Sequence, residues 1–213
     1  MELEEILSTF RKTGTAVVSD AMGRSSPLPG VKPVLQEMRT IAGTAFTVRV
    51  PPGDWLLAIK AIDEAKPGDV IVIDAGGADE SRKAVWGELA SQAAKVKGIT
   101  GVVIHGYVRD IPGIREINFP VFASGITPRA GDPEGQGAHG ITLDIGGVLV
   151  KPGDIIVADL NGVVVVPREK AAEVAVRAEE IHSLEEKVLS YILSKKTTLY
   201  RALQELGVFG KVK

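Results

Sequence analysis

Two short segments of this chain carry residue types that can do chemistry together. Trp86-Gly87-Glu88-Leu89-Ala90 places a glycine and an acid at a predicted helix start, and His105-Gly106-Tyr107-Val108-Arg109-Asp110 follows a predicted buried strand. Free backbone N–H groups at a helix start, with the helix dipole behind them, form a cradle for a carboxylate or phosphate. Gly87 removes the side chain that would block a ligand's approach. Arg109 offers planar, bidentate recognition of an anion, and Asp110 offers a hard oxygen ligand suited to magnesium or manganese. Each residue also has a plainer reading. A Glu in a first helical turn gains about 0.3–1 kcal/mol from the dipole without any ligand. Asp110 could cap the short segment Pro112–Ile117, and Arg109 could pair with a surface carboxylate.

The elements that must position these residues are legible in the apolar pattern. Leu3, Ile6, Leu7 and Phe10 fall at helical spacing, and after Gly14 a second helix is expected over 15–22 with Thr15 as its cap. Residues 23–33 read as a loop. Phe46, Val48 and Val50 alternate with Thr47 and Arg49, as in a half-buried strand. Asp54 is expected to cap an apolar helix through Trp55, Leu56, Ile59 and Ile62. The turn Lys66-Pro67-Gly68-Asp69 leads into a buried strand, Val70 to Asp74. A Gly-rich loop then leads to a helix over 88–97, stopped by Gly98. Strands are expected at 101–104 and 121–123. Residues 130–140 are Gly-rich and polar and read as a long mobile loop, followed by a strand over 141–145 with one wet face.

The run Lys151-Pro152-Gly153-Asp154-Ile155-Ile156-Val157-Ala158-Asp159 repeats the turn-strand unit of residues 66–74 almost residue for residue. Asn161-Gly162 marks a hairpin turn into the strand 163–166. A long helix from Arg168 and a last helical piece over 199–206 close the chain. The mixture of βα alternation and hairpins predicts a layered β/β/α domain, not a doubly wound sheet. Residues 1–167 are expected to form that domain. Residues 168–213 are expected to form a helical segment packed on it or on a neighbouring subunit.

Composition narrows the function classes. The 213 residues are 45% hydrophobic and carry a net charge of −2, with no concentration of Lys and Arg that would mark a nucleic-acid partner. Lys195-Lys196 reads as a solvated helix end. The absence of cysteine excludes disulfides, thiolate metal sites and cysteine nucleophiles. No apolar run approaches the roughly 20 residues needed to span a bilayer, and the acidic N-terminus reads as a helix instead of a signal peptide. A cytoplasmic protein with no membrane partner is expected.

Gly87-Glu88-Leu89-Ala90, then twenty residues from Leu89 to Val108, then Arg109-Asp110, resembles the acid-X20-Arg-Asp signature of the RraA-like family. The flanks resemble it too: 15–22, Pro67-Gly68-Asp69-Val70, 98–103, Pro120-Val121-Phe122-Ala123, and Pro152-Gly153-Asp154 through Pro167. The likeness covers about residues 10–170. The family includes 4-hydroxy-4-methyl-2-oxoglutarate/4-carboxy-4-hydroxy-2-oxoadipate aldolases and regulators of ribonuclease E.

The resemblance implies a β/β/α swivelling-domain fold and a homotrimer or hexamer with sites at subunit boundaries. It implies a divalent metal, Mg2+ or Mn2+, held directly by Asp110 and through water by Glu88. Arg109 would contact the keto-acid oxygens, and backbone N–H groups from Gly87 through Glu88, Leu89 and Ala90 would take the carboxylate. A Glu from a neighbouring subunit's C-terminal segment is also implied, with Glu185 the best match and Glu186 close behind. Two positions depart from the pattern: Glu88 stands where the family usually has Asp, and His105 where an acid is common.

The implied activity is a metal-dependent lyase that cleaves 4-hydroxy-2-oxo acids to pyruvate and also decarboxylates oxaloacetate. The alternative is a non-catalytic regulator that binds a ribonuclease or another protein. A Schiff-base lysine has no motif to recommend it, and Lys83 in the Gly-rich loop reads as solvated. A methyltransferase label has also been carried in the family, but no Gly-rich adenosine-binding fingerprint follows a first strand.

Overall fold

Helix α1 (Leu3–Ala21) begins in a reciprocal capping box between Glu2 and Glu5 and is broken at Gly14, whose φ of 78° and ψ of 171° are not helical. The two predicted helices are therefore present, but Thr15 does not cap the second. Its N–H and hydroxyl donate to the buried Asp159 carboxylate at 2.9 and 2.7 Å, so the cap comes from a strand 144 residues away. The computed structural model describes residues 1–25, 27–78 and 81–209. Ser26 in the predicted loop 23–33, and Asp79 and Glu80 in the Gly-rich loop, lie outside the described residues.

The strands follow as β1 (Lys32–Pro33), β2 (Ile41–Arg49), β3 (Asp69–Asp74), β4 (Ala84–Trp86), β5 (Gly101–Val108), β6 (Val121–Ile126), β7 (Ala138–His139), β8 (Leu143–Ile145), β9 (Val148–Val150), β10 (Ile155–Asp159) and β11 (Gly162–Val166). Between and after them lie α2 (Leu56–Glu64), α3 (Glu88–Val96), α4 (Ile111–Ile117), α5 (Ala171–Lys195) and α6 (Leu199–Glu205). One sheet runs β1-β6-β5-β3-β2-β10-β11, with β4 added beside β5 and β7 beside β2. Strands β2, β3, β5 and β6 are parallel, while β10 and β11 pair antiparallel. The segment around Pro27 and Leu28 bridges to β11 while β1 pairs with β6, so the sheet nearly closes on itself.

Three apolar clusters define the layers. The β8–β9 hairpin buries Leu143, Ile145 and Val150 against Val72, Val103 and Phe122 on one face. Helices α2, α3 and α4 cover Ile71, Ile73, Val102 and Ile104 on the other face. Helices α1 and α5 pack over β10 and β11. This is the expected β/β/α layering with C-terminal helices.

Coverage of both faces explains where the strand expectations fall short. Thr47, expected on a wet face, is fully buried, and its hydroxyl donates to the Ile141 carbonyl at 2.7 Å. Strand β5 does not stop at Ile104; it continues through Val108 by changing partner from β3 to β4. The two repeated turns are built alike. Asp69 accepts from the Lys66 N–H and Asp154 from the Lys151 N–H, both at 2.8 Å, and they start β3 and β10 on either side of β2.

The expected mobile loop 130–140 is pinned. The buried Asp54 carboxylate accepts from Leu56 N–H, starting α2 as predicted, and also from Gly135 and Gln136 N–H at 3.0 and 2.7 Å. Lys83, read as solvated, is bound to the Asp132 carboxylate of this same loop. At the other end of the chain, α5 buries Ala171, Val174, Ala175 and Ala178 in its first half. Further along, Val188 packs on Ala202 and Val208, in and just beyond α6. Among the described residues, no helix is long and apolar enough to cross a membrane.

Candidate active site

Strand β4 is the short element that joins the two predicted segments. It pairs with the end of β5, Trp86 against Val108, so the chain leaving β4 into α3 runs beside the chain leaving β5 into α4. Gly87 is the N-cap residue of α3, and Asp110 is the N-cap residue of α4. A backbone bond from Arg109 N–H to the Trp86 carbonyl, 3.1 Å, fixes the two exits together.

Behind them, buried Ser91 accepts from the Trp86 indole N–H at 2.8 Å and donates to the Gly87 carbonyl at 2.9 Å. The first turn of α3 is thereby tied to β4 through side chains that water does not reach.

Asp110 takes the left-handed conformation, φ 61° and ψ 37°. For most L residues this region costs roughly 1–2 kcal/mol, though Asp tolerates it better than most. Its side chain makes no capping bond to α4, so the capping alternative fails. Instead Oδ2 accepts from the Glu88 N–H at 3.4 Å and lies 3.4 Å from the Arg109 Nε. Arg109 thus pairs with the acid beside it, and both side chains are 42% exposed. A Cβ at position 87 would lie 2.6 Å from Asp110 Oδ2, so only glycine leaves room for that carboxylate at the helix start. The Glu88 carboxylate lies over Gly113 of α4, where a Cβ would come within 2.0 Å of it.

Gly113 was not singled out from sequence; a glycine one residue after Pro112, early in a helix, was the available signal. Also missed was the wall from α2. A cavity of about 620 Å3 opens at the Arg109–Asp110 corner, lined by Trp55, Leu56 and Ile59 as well as by Trp86, Leu89 and Ala90. Glu88 and Glu185 are not among its lining residues. Glu185 is partly exposed on α5, and no residue of α5 or α6 lines the cavity. His105 lies within β5 and donates from Nδ1 to Asp74 Oδ1, 2.9 Å away, while Arg49 Nε donates to Asp74 Oδ2 at 3.3 Å. It belongs to a separate cluster at the strand ends.

The donor set fits a magnesium-type ion. Asp110 Oδ1 accepts no hydrogen bond among the described residues, and Glu88 supplies a second exposed carboxylate. No group of three or more His, Asp or Glu among the described residues could form an all-protein cage. Magnesium usually takes one or two carboxylates and completes its shell with waters and substrate oxygens.

This fold and corner define an RraA-like protein. The chain belongs to the RraA-like family (Aldolase/RraA), which it matches over residues 15–165. It is 43% identical over 169 residues to an uncharacterized protein of Methanocaldococcus jannaschii, covering 79% of this chain and 81% of that one. It is 34% identical over 153 residues to the 4-hydroxy-4-methyl-2-oxoglutarate aldolase of Thermus thermophilus, covering 72% and 92%. Among solved structures it is similar to Streptomyces coelicolor RraAS2, an unusual member of the RNase ES inhibitor RraA family. The TM-score is 0.74 at 30% identity, over 85% of this chain and 95% of that one.

Proposed function

We propose that the protein is a divalent-metal-dependent lyase that cleaves 4-hydroxy-2-oxo acids to pyruvate and decarboxylates oxaloacetate. The observation that carries this reading is the Asp110 carboxylate, turned away from its own helix to the glycine-cleared start of α3 with Arg109 beside it. The aldolase relatives support the reaction class.

Both reactions leave negative charge on the oxygen of a 2-oxo group, so the site must stabilise an enolate. Mg2+ or Mn2+ held by Asp110, with Glu88 acting through water, would supply Lewis acidity at the 2-oxo oxygen. Arg109 adds a fixed positive charge where the enolate oxygen develops. Backbone N–H groups of Leu89 and Ala90, in the first turn of α3, have no intrahelical partners and receive the substrate carboxylate. Glu88 takes the proton of the C4 hydroxyl in the aldol reaction; decarboxylation needs no such base.

Assembly into a trimer or hexamer forms part of the proposal, and exposed Leu189, Leu193, Leu199 and Tyr200 on α5 and α6 give it an apolar surface to use. Glu185 would enter a site only from a neighbouring copy.

The test follows pyruvate through lactate dehydrogenase, with oxaloacetate or 4-hydroxy-4-methyl-2-oxoglutarate as substrate and with Mg2+ or EDTA present. Metal-dependent pyruvate release that falls at least 100-fold in Arg109→Ala is expected, in line with loss of a preorganised charge at the oxyanion. Turnover indifferent to EDTA, or no turnover of either compound, would sink the reading and return the site to the protein-binding alternative.

A further inference from the structure

We infer that the cavity beside the Arg109–Asp110 corner receives a hydrocarbon substituent on C4 of the substrate, so that 4-hydroxy-2-oxo acids with apolar tails are preferred over dicarboxylic ones. This rests on the reading of the corner as the pyruvate-binding head. The cavity, about 620 Å3, is far larger than a pyruvate unit needs and falls within the usual range for small-molecule sites. What lies beyond the head is therefore a wall that selects the rest of the substrate.

That wall offers carbon and almost no free donors. Trp55, Leu56 and Ile59 come from the start of α2, and Val85 and Trp86 from β4. The two indole N–H groups are already spent, Trp55 on the Gly131 carbonyl at 3.1 Å and Trp86 on Ser91 at 2.8 Å. The nearby backbone is spent as well: Gly131 N–H donates to the Ala84 carbonyl and Asp132 N–H to the Gly53 carbonyl. A carboxylate pushed against this surface would lose water and gain no hydrogen bond, which is costly for a charged group.

The lining cations are Arg109, engaged at the head, and Lys60. Lys60 is exposed, and Asp63, three residues along α2, lines the same cavity with opposite charge. An exposed lysine pair gains little, whereas each methylene seated in an apolar pocket changes kcat/KM by roughly ten- to two-hundred-fold.

In the cleavage step the C3–C4 bond breaks and its electron pair becomes the enolate of pyruvate. The C4 hydroxyl gives its proton to the base and becomes a carbonyl. C3 then takes a proton from solvent. The products are pyruvate and an aldehyde or ketone that carries the apolar tail out through the mouth, where Leu89 is 85% exposed.

The experiment compares two substrates of equal chain length, 4-hydroxy-2-oxooctanoate and 4-hydroxy-2-oxooctanedioate, with oxaloacetate decarboxylation as the control for the head. With Mg2+ and the full chain, kcat/KM is expected to be at least tenfold higher for the monoacid. Ile59→Arg should narrow or invert that ratio, and the milder Leu56→Ala should lower kcat/KM for the monoacid chiefly through KM. Equal or reversed preference in a protein that decarboxylates oxaloacetate overturns the apolar-tail inference and leaves the head reading standing. Failure to turn over any of the three compounds overturns both.

Discussion

The Asp110 carboxylate accepts a hydrogen bond from the backbone N–H of Glu88, joining the first residue of α3 to the residue that precedes α4. Two helix starts therefore share one acid. The helix that Asp110 introduces gets no help from its side chain, and the helix it does touch has glycine at its own N-cap, with no side chain to do the capping. At 3.4 Å the bond is long, so the oxygen gives up little when it turns to a ligand.

Asp110→Asn separates the structural from the chemical role. Asparagine keeps an acceptor for Glu88 N–H and tolerates the left-handed backbone that position 110 requires. The melting transition should move by no more than a surface substitution does, about 0.5 kcal/mol. Pyruvate release should fall at least 100-fold, because the amide loses the charge that would hold a divalent ion. A variant that unfolds while wild type stays folded would instead make Asp110 a structural residue.

Gly87→Ala tests the space rather than the charge. The backbone at 87, φ −160°, suits any residue, so no strain is introduced. The added Cβ would lie 2.6 Å from Asp110 Oδ2 and must displace the carboxylate. Activity measured with saturating Mg2+ should drop ten-fold or more with little change in thermal stability. Full activity in Gly87→Ala would show that the Asp110 position seen here is not the working one.

Much of this corner was readable because its parts are close in sequence. Arg109 and Asp110 are adjacent, and Gly87 and Glu88 sit where the apolar pattern turns from strand to helix. The joining strand β4 was not readable: three buried residues, Ala84 to Trp86, carry no alternation and follow a Gly-rich stretch. The extension of β5 to Val108 was hidden because its last four residues alternate in burial around a polar His105 and a glycine, and Tyr107 and Val108 find a partner in the unread β4. Loop 130–140 has the composition of a mobile segment, yet it is anchored by Asp54, some 80 residues earlier in the chain, and by Lys83. Composition reports local preference, and these anchors are contacts at long range. The α2 wall of the cavity was missed likewise, because an apolar helix face looks the same whether it meets a core or a ligand.

Ser91→Ala probes the support behind the site. Ser91 is fully buried and serves both the Trp86 indole N–H and the Gly87 carbonyl. Removing its hydroxyl leaves a buried indole donor unpaired, which costs about 1–3 kcal/mol. Denaturant melts should show that loss. KM for oxaloacetate should rise as the start of α3 loosens. A stability change below about 0.5 kcal/mol would mean that water or another group replaces the hydroxyl.

The last expectation concerns acid stability and the cluster away from the site. Burial pushes the Asp74 carboxyl upward, but hydrogen bonds from His105, the Gly76 N–H and Arg49, with the added charge of His105, outweigh it, and its pKa is lowered below the ordinary 3.8. A carboxylate with a lowered folded-state pKa contributes stability that is fully present above its unfolded value and is lost as pH falls through the folded one. The contribution of Asp74 should therefore be intact at neutral pH and fade below about pH 4. Asp74→Asn should be less stable than wild type at pH 7, and the gap should shrink as pH falls toward 2. Urea melts at pH 7, 4 and 2.5 would read this directly. A gap that stays constant across that range would show that Asp74 stabilises the strand ends without its charge.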